Sequence, residues 1–287
     1  MDGFGKTIAL LAILTSMLVA VGSGLGYVLG IPIAHSIGGA LVLAFVLNAG
    51  LYFYADRWVL NLYGAKLVPE AEAPQLHAIV DRVTSNARIP KPKVAVIPTN
   101  VPNAFATGRS PRHSVVAVTQ GALDLLTNEE LEGVIAHEIA HIKNRDMLVN
   151  TLAAVIGAAI TYVLYLSLFA AGDRERDRSG GLLALALLVV VPFAVMLVRL
   201  AISRTREFEA DRQGAVLSRK PLALASALRK LEFRIRESPL TQGNPSTSHL
   251  FIVNPFRGVK LSSLFATHPP TTERIKRLEE MAKIGNF

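Results

Sequence analysis

Cysteine is absent from the 287 residues, which excludes disulfides, thiolate-bound zinc and cysteine nucleophiles; any metal must be held by His, Asp or Glu. Charge is scarce too, at 18% of residues against 51% hydrophobic, which is apolar for a soluble protein of this size. Lysine and arginine are missing altogether from "GYVLGIPIAHS", residues 26–36. No internal repeat or low-complexity tract is present. Aromatics amount to 7% and the arginines of the C-terminal tail are scattered along helical stretches, so nucleic acid is not an expected partner.

The apolar residues fall into four blocks, 7–29, 31–54, 148–171 and 182–202, each near the roughly 20 residues that cross a bilayer core. His35 and Asn48 lie in the second, where His35 is expected to face the helix bundle, and Pro192 in the fourth marks a kink. The first block is long for a cleaved signal, follows only Lys6 and shows no small-x-small cleavage pattern, so it is expected to remain as an anchor. The net charge of +8 is concentrated in residues 199–287, with sixteen Lys and Arg against eight Asp and Glu; residues 55–147 hold ten Lys and Arg. By the positive-inside rule both polar segments and the N-terminus face the cytoplasm. The short loop "GDRERDRSGG", 172–181, is then external, its three arginines alternating with three acids. The expected organisation is a membrane helix pair in 1–54, a cytoplasmic catalytic segment in 55–147, a second pair in 148–202 and a cytoplasmic helical segment in 203–287.

Residues 73–89 space Leu76, Ile79, Val80 and Val83 along one helix face. "PKVAVIP", "NAFATG" and "HSVVAVTQG" predict short strands of a small sheet. The next helix opens with a capping box, Thr127 and Glu130, and runs through "GVIAHEIAHIKNRD". Residues four apart stack on one helical face, so His137 and His141 can meet one zinc ion, with Glu138 placed to take a proton from water rather than to ligate. A catalytic zinc takes a third protein ligand. The motif does not continue as G-x-x-H: Asn144 and Met147 stand there instead. "SRTREFEAD", 203–211, is the best supplier. Glu207 and Asp211 share a face, as a ligand and a carboxylate that orients a histidine would, whereas Glu209 lies about 200° away from Glu207 and is expected on the surface. Two apolar blocks separate His141 from Glu207, an even number of crossings that returns the chain to the same side. His77 and His113 are expected at the surface. His268, in "ATHPPTTERIKRL", precedes a helix with Arg274 and is placed either to stabilise an oxyanion or merely to enter a turn.

Together these residues resemble the HtpX family of membrane-bound zinc endopeptidases, relatives of the CAAX prenyl proteases, with "PNAFATG", "HEIAH", "SRTREFEAD" and "THPPTTERI" in the family's order along essentially the whole chain. The resemblance implies an α-rich membrane protein of four transmembrane helices with a cytoplasmic, zincin-like α+β metalloprotease domain around a small sheet. It implies one zinc ion per chain on His137, His141 and Glu207, Glu138 as general base, Asp211 supporting a ligand, and His268 and Arg274 lining the site. It also implies that substrate backbone adds to the exposed sheet edge at Asn103, Ala104 and Phe105, through Thr107. The implied role is quality control in the cell membrane, cleaving unfolded or damaged membrane proteins at the cytoplasmic face, often under heat stress. The alternatives are a processing protease of the CAAX type and a catalytically silent scaffold of the same fold. An intramembrane site is disfavoured by the charged flanks Glu129, Glu130, Glu132, Lys143, Arg145 and Asp146.

Overall fold

The computed structural model of the chain describes residues 3–171, 204–256 and 269–285. Helices α1 (Gly3–Val28) and α2 (Ile33–Leu62) come first. Residues 7–24 and 33–62 have mean hydropathies of 2.0 and 1.8, long and apolar enough to cross a bilayer. Ser36, Ala40 and Ala44 of α2 are buried, and Asn48 Nδ2 donates to Thr15 Oγ1 of α1 at 2.8 Å. His35, expected inside this pair, is exposed, because Ser36 takes the inward position. Of the four expected spans, two pass the length and hydropathy test among the described residues. The third block forms α6 (Asp146–Ala171), but Leu148, Leu152, Ala154 and Ile156 pack into the protein's own cores. The fourth block, the 172–181 loop and His268 lie outside the described residues.

After α2 the chain builds β1 (Lys66–Leu67), α3 (Pro74–Ala87), β2 (Lys93–Ile97), β3 (Ala104–Ser110), β4 (His113–Thr119), the short α4 (Gln120–Leu125) and α5 (Asn128–Lys143). The sheet order is β1-β2-β4-β3, with β2 and β4 parallel and the outer pairs antiparallel. Side chains alternate across a strand, and here both faces are covered. Val94, Ala104, Ala106, Val116 and Val118 join a core with α3 and α5. Ala95, Ile97, Phe105, Val115 and Ala117 join a second core with Val59 of α2, Ala154 of α6 and Phe251. Burial on both faces is why these strands read as apolar runs rather than as alternating ones.

α7 (Arg204–Ser218) and α8 (Pro221–Glu237) close over α5; a 3₁₀ turn, Pro245–Leu250, and α9 (Thr271–Ile284) follow. The capping box at Thr127 is present, with Glu130 N donating to Thr127 Oγ1 and Thr127 N to Glu130 Oε2. Every residue from Glu130 to Ile142 is buried, so α5 is the central helix and its histidines point into the interior. His77 is also buried, its Nε2 3.0 Å from the Val68 carbonyl oxygen, contrary to the surface position expected for it.

Candidate metal centre

Three side chains from two helices converge: His137 and His141 of α5 and Glu207 of α7. The i, i+4 spacing stacks the two imidazoles. Their Nε2 atoms face each other at 3.2 Å, and Glu207 stands 3.4 Å from His141 Nε2 and 3.9 Å from His137 Nε2. The close approach of α7 rests on Gly214, where an added Cβ would lie 2.9 Å from the backbone nitrogen of His137. No larger residue fits there without moving one helix, so the glycine inside "ADRQGAV" is the price of bringing Glu207 to the histidines.

Each histidine has a carboxylate behind it. Asp211 Oδ1 lies 3.0 Å from His137 Nδ1, one helical turn beyond Glu207. Asp146 Oδ2 lies 3.4 Å from His141 Nδ1. Asp146 is the residue that sequence reasoning left out of the site. It opens α6, and the left-handed Arg145 before it (φ 59°) turns the chain so that the carboxylate doubles back on His141. The carboxylates are held in turn. Arg274 of α9, 1% exposed, donates through Nε and Nη2 to both oxygens of Asp211 at 2.7 Å. Arg206 Nη1 donates to Asp146 Oδ1 at 2.7 Å.

This arrangement can be tested for fit to zinc. With a carboxylate 3.0 Å behind Nδ1 of His137 and 3.4 Å behind Nδ1 of His141, the two Nε2 atoms face each other and the Glu207 carboxylate, a donor set that one cation can share. Bonds of about 2.0–2.2 Å in a tetrahedron put donors roughly 3.4 Å apart; the three separations of 3.2, 3.4 and 3.9 Å bracket that value. The residues fit the ion.

Electrostatics separate the roles. Glu138, 2% exposed, is pushed up to about 7, chiefly by burial; His141 and the Ala106 N–H of β3, donated to its carboxylate, pull it back down, while Glu207 pushes it up. Burial brings His137 down to about 4 despite Asp211. Burial also acts downward on His141, but the hydrogen bond to Asp146 and the charges of Glu207 and Glu138 outweigh it and raise that group to about 9. Glu209, as expected, is a surface group whose carboxylate is held by Arg212 and Gln213.

The substrate edge differs from expectation. β3 is the outer strand, but Asn103, Ala104 and Phe105 are all buried because the chain covers its own edge. Ile252 N donates to the Ala104 carbonyl at 3.1 Å. Asn103 Nδ2 donates to the Val253 carbonyl at 2.7 Å and Asn103 Oδ1 accepts from Val253 N. Phe105 packs edge-on to Phe251. Arg274 Nη1 donates to the Ile252 carbonyl at 2.6 Å, so Arg274 reaches the site through Asp211 and through this segment. The cavity left beside Glu138, His141, His249 and Ile252 is about 10 Å³, near the space of one water.

Comparison with known proteins agrees with this geometry. The profile of peptidase family M48 matches residues 70–282. The chain is 50% identical over 285 residues to a protease HtpX homolog of Thermococcus sibiricus, covering 97% of this chain and 96% of that one. It is 53% identical over 285 residues to one from Pyrococcus abyssi, covering 96% and 95%. In fold it is similar to the crystal structure of S. mikatae Ste24p, with a TM-score of 0.53 at 18% identity, spanning 96% of this chain and 65% of that one. Half of all positions shared end to end with such proteases, over a matched peptidase profile, place the chain in family M48 among the HtpX homologues, as a membrane metalloprotease.

Proposed function

We propose that the chain is a zinc endopeptidase that cleaves unfolded or damaged membrane proteins at the cytoplasmic face. One observation carries the reading: the two Nε2 atoms and the Glu207 carboxylate converge, with Asp211 and Asp146 behind the imidazoles. His137, His141 and Glu207 would hold the ion. Zinc bound there supplies Lewis acidity, lowering the pKa of water and polarising the scissile carbonyl. Glu138 accepts the water's proton and returns it to the leaving amine. Burial favours the protonated carboxyl, which suits it to hold that proton between the two halves of the exchange. The hydrogen bond from Ala106 fixes Glu138 against β3, so the base stands beside the strand on which substrate backbone would lie. Main-chain pairing carries affinity with little regard to side-chain identity, which suits degradation of many sequences. Asp211 and Asp146 stand behind the imidazoles to orient them, and His268 is proposed to stabilise the oxyanion.

The test is hydrolysis of a denatured protein by detergent-solubilised enzyme, with and without a chelator. Chelation should abolish cleavage by the wild type. Glu138→Gln should retain zinc by elemental analysis yet lose on the order of 10²- to 10⁴-fold in rate. Near-normal turnover in that variant refutes the assigned base.

A further inference from the structure

α2 stays apolar from Ile33 to Ala55 and meets its first charges at Asp56 and Arg57. Beside that transition the β3–β4 hairpin runs down the helix. At its upper end Phe105 packs on Tyr63, ring centroids 6.0 Å apart; at its lower end the Arg109 guanidinium lies 5.4 Å from the Phe53 ring centroid. Ten helical residues at about 1.5 Å each match four strand residues at about 3.3 Å each, so the hairpin lies along α2 and its tip descends towards the apolar stretch. Gly108, with φ 139° and only 2.2 Å from the His113 carbonyl oxygen for any added Cβ, lets the two strands close tightly just above that tip. The turn displays Arg112, which is exposed, beside half-buried Arg109.

On α2 at the same level, Phe53, Tyr54 and Trp58 are 50%, 60% and 40% exposed, and Arg57 lies over the Tyr54 ring at 5.6 Å. Aromatic side chains of this kind gather where a helix leaves hydrocarbon for the headgroups. Among the described residues, none of Arg57, Arg109 and Arg112 makes an ion pair; the one neighbouring acid on α2, Asp56, accepts the backbone N–H of Arg57. Three forked cations without carboxylate partners among the described residues thus stand beside the end of the apolar stretch of α2, and guanidinium groups bind phosphates in a bidentate manner.

We propose that the β3–β4 tip and the adjoining turn of α2 form a headgroup site for an anionic phospholipid of the surrounding bilayer. The lipid pins the tip to the membrane surface and so fixes the height of the sheet edge above it. This reading is independent of the zinc chemistry and of which leaflet the domain faces.

Trp58 is the single tryptophan of the chain and reports on the site directly. The full-length protein is reconstituted in vesicles of phosphatidylcholine and phosphatidylglycerol of fixed composition. Bromine is carried near the glycerol end of the acyl chains of one lipid or the other. At equal bromine content, brominated phosphatidylglycerol should quench Trp58 more strongly, with an enrichment on the order of severalfold for two or three arginines at the surface. Arg109→Gln with Arg112→Gln should equalise the two lipids. Arg112→Gln alone, at an exposed turn position, should reduce the preference, and Arg112→Lys should keep most of it, so a folding defect in the double variant does not decide the matter. Equal quenching in the wild type overturns the proposal, as does a preference that survives the double substitution. Loss of the preference on adding inorganic phosphate to the buffer also overturns it, because the site would then be one for soluble anions.

Discussion

His137 and His141 are held by different means, and their supports should fail differently. Asp211 is locked to the buried Arg274 by two hydrogen bonds, whereas Asp146 is held by the less enclosed Arg206. Asp146→Asn should therefore weaken zinc binding about 10- to 100-fold, as loss of an orienting carboxylate does, with little change in the thermal transition. Asp211→Asn strips a buried arginine of its counter-charge, which costs about 3–5 kcal/mol, so it should lower both zinc affinity and melting temperature. A chelator competition and a thermal melt separate the two; equal destabilisation by both variants contradicts the assignment. Glu207→Ala should release zinc while Glu209→Ala should not; the reverse pattern would make Glu209 the ligand. The pH dependence has a definite sign. Glu138 rises from 4.5 to about 7 on folding, so the folded state keeps a proton that the unfolded chain gives up. Its contribution to stability is present below about pH 4.5 and is lost as pH rises through about 7. Chelator-treated wild type should lose more melting temperature between about pH 5 and pH 8 than Glu138→Gln; parallel behaviour would show that the carboxyl titrates normally. The two histidines and Glu207 with Asp211 were legible because i, i+4 spacing is a local rule. Asp146 was not, because five residues after His141 it leaves the helical face, and only the left-handed turn at Arg145 brings it back.

The strands were legible from β-rich runs bounded by proline and glycine, and the helix start from its capping box. What covers the edge of β3 was not. Its occupant lies about 150 residues downstream in "LFIVNPF", which has no regular period and pairs only across the fold. If substrate backbone pairs with β3 as proposed, it would compete with Ile252 for the Ala104 carbonyl, and productive binding would require residues 250–253 to move aside. The lack of native cysteine makes this directly testable. Ala104→Cys with Ile252→Cys, oxidised, should hold the segment on the strand and suppress cleavage of an unfolded protein, and reductant should restore it. The oxidised enzyme should still bind zinc, because neither side chain is one of the ion's donors. Undiminished cleavage in the cross-linked form would mean that substrate enters elsewhere.

At the scale of the whole molecule, the division into membrane pairs and polar segments misses a continuity. The apolar part of α2 ends near residue 55, but the helix runs unbroken to Leu62, and Val59 and Tyr63 pack with Phe105, Phe251 and Phe256 in the core that covers one face of the sheet. α6 does the same from the other side: Asp146 orients His141, Thr151 Oγ1 meets Thr107 Oγ1 of β3 at 2.9 Å, and Leu152 joins α1 and α2. Hydropathy marks where a helix becomes polar; it does not mark where a core ends, because a buried helix face in water and one in lipid use the same residues. Two N-terminal truncations discriminate between these boundaries. Deleting residues 1–50 removes α1 and its packing against α6 but spares Leu51, Tyr52 and Ala55 as well as Val59 and Tyr63. Deleting residues 1–64 also uncovers Phe105 and Phe251, two side chains now fully buried, each worth about 1.5–3 kcal/mol of burial. The shorter deletion should retain a cooperative thermal transition and zinc binding in detergent, at a reduced melting temperature. The longer one should lose both, since β3 carries the backbone contact to Glu138 and loses the packing behind it. If the 65–287 fragment melts cooperatively and binds zinc as the full chain does, the peptidase module is separable and α2 is only its tether.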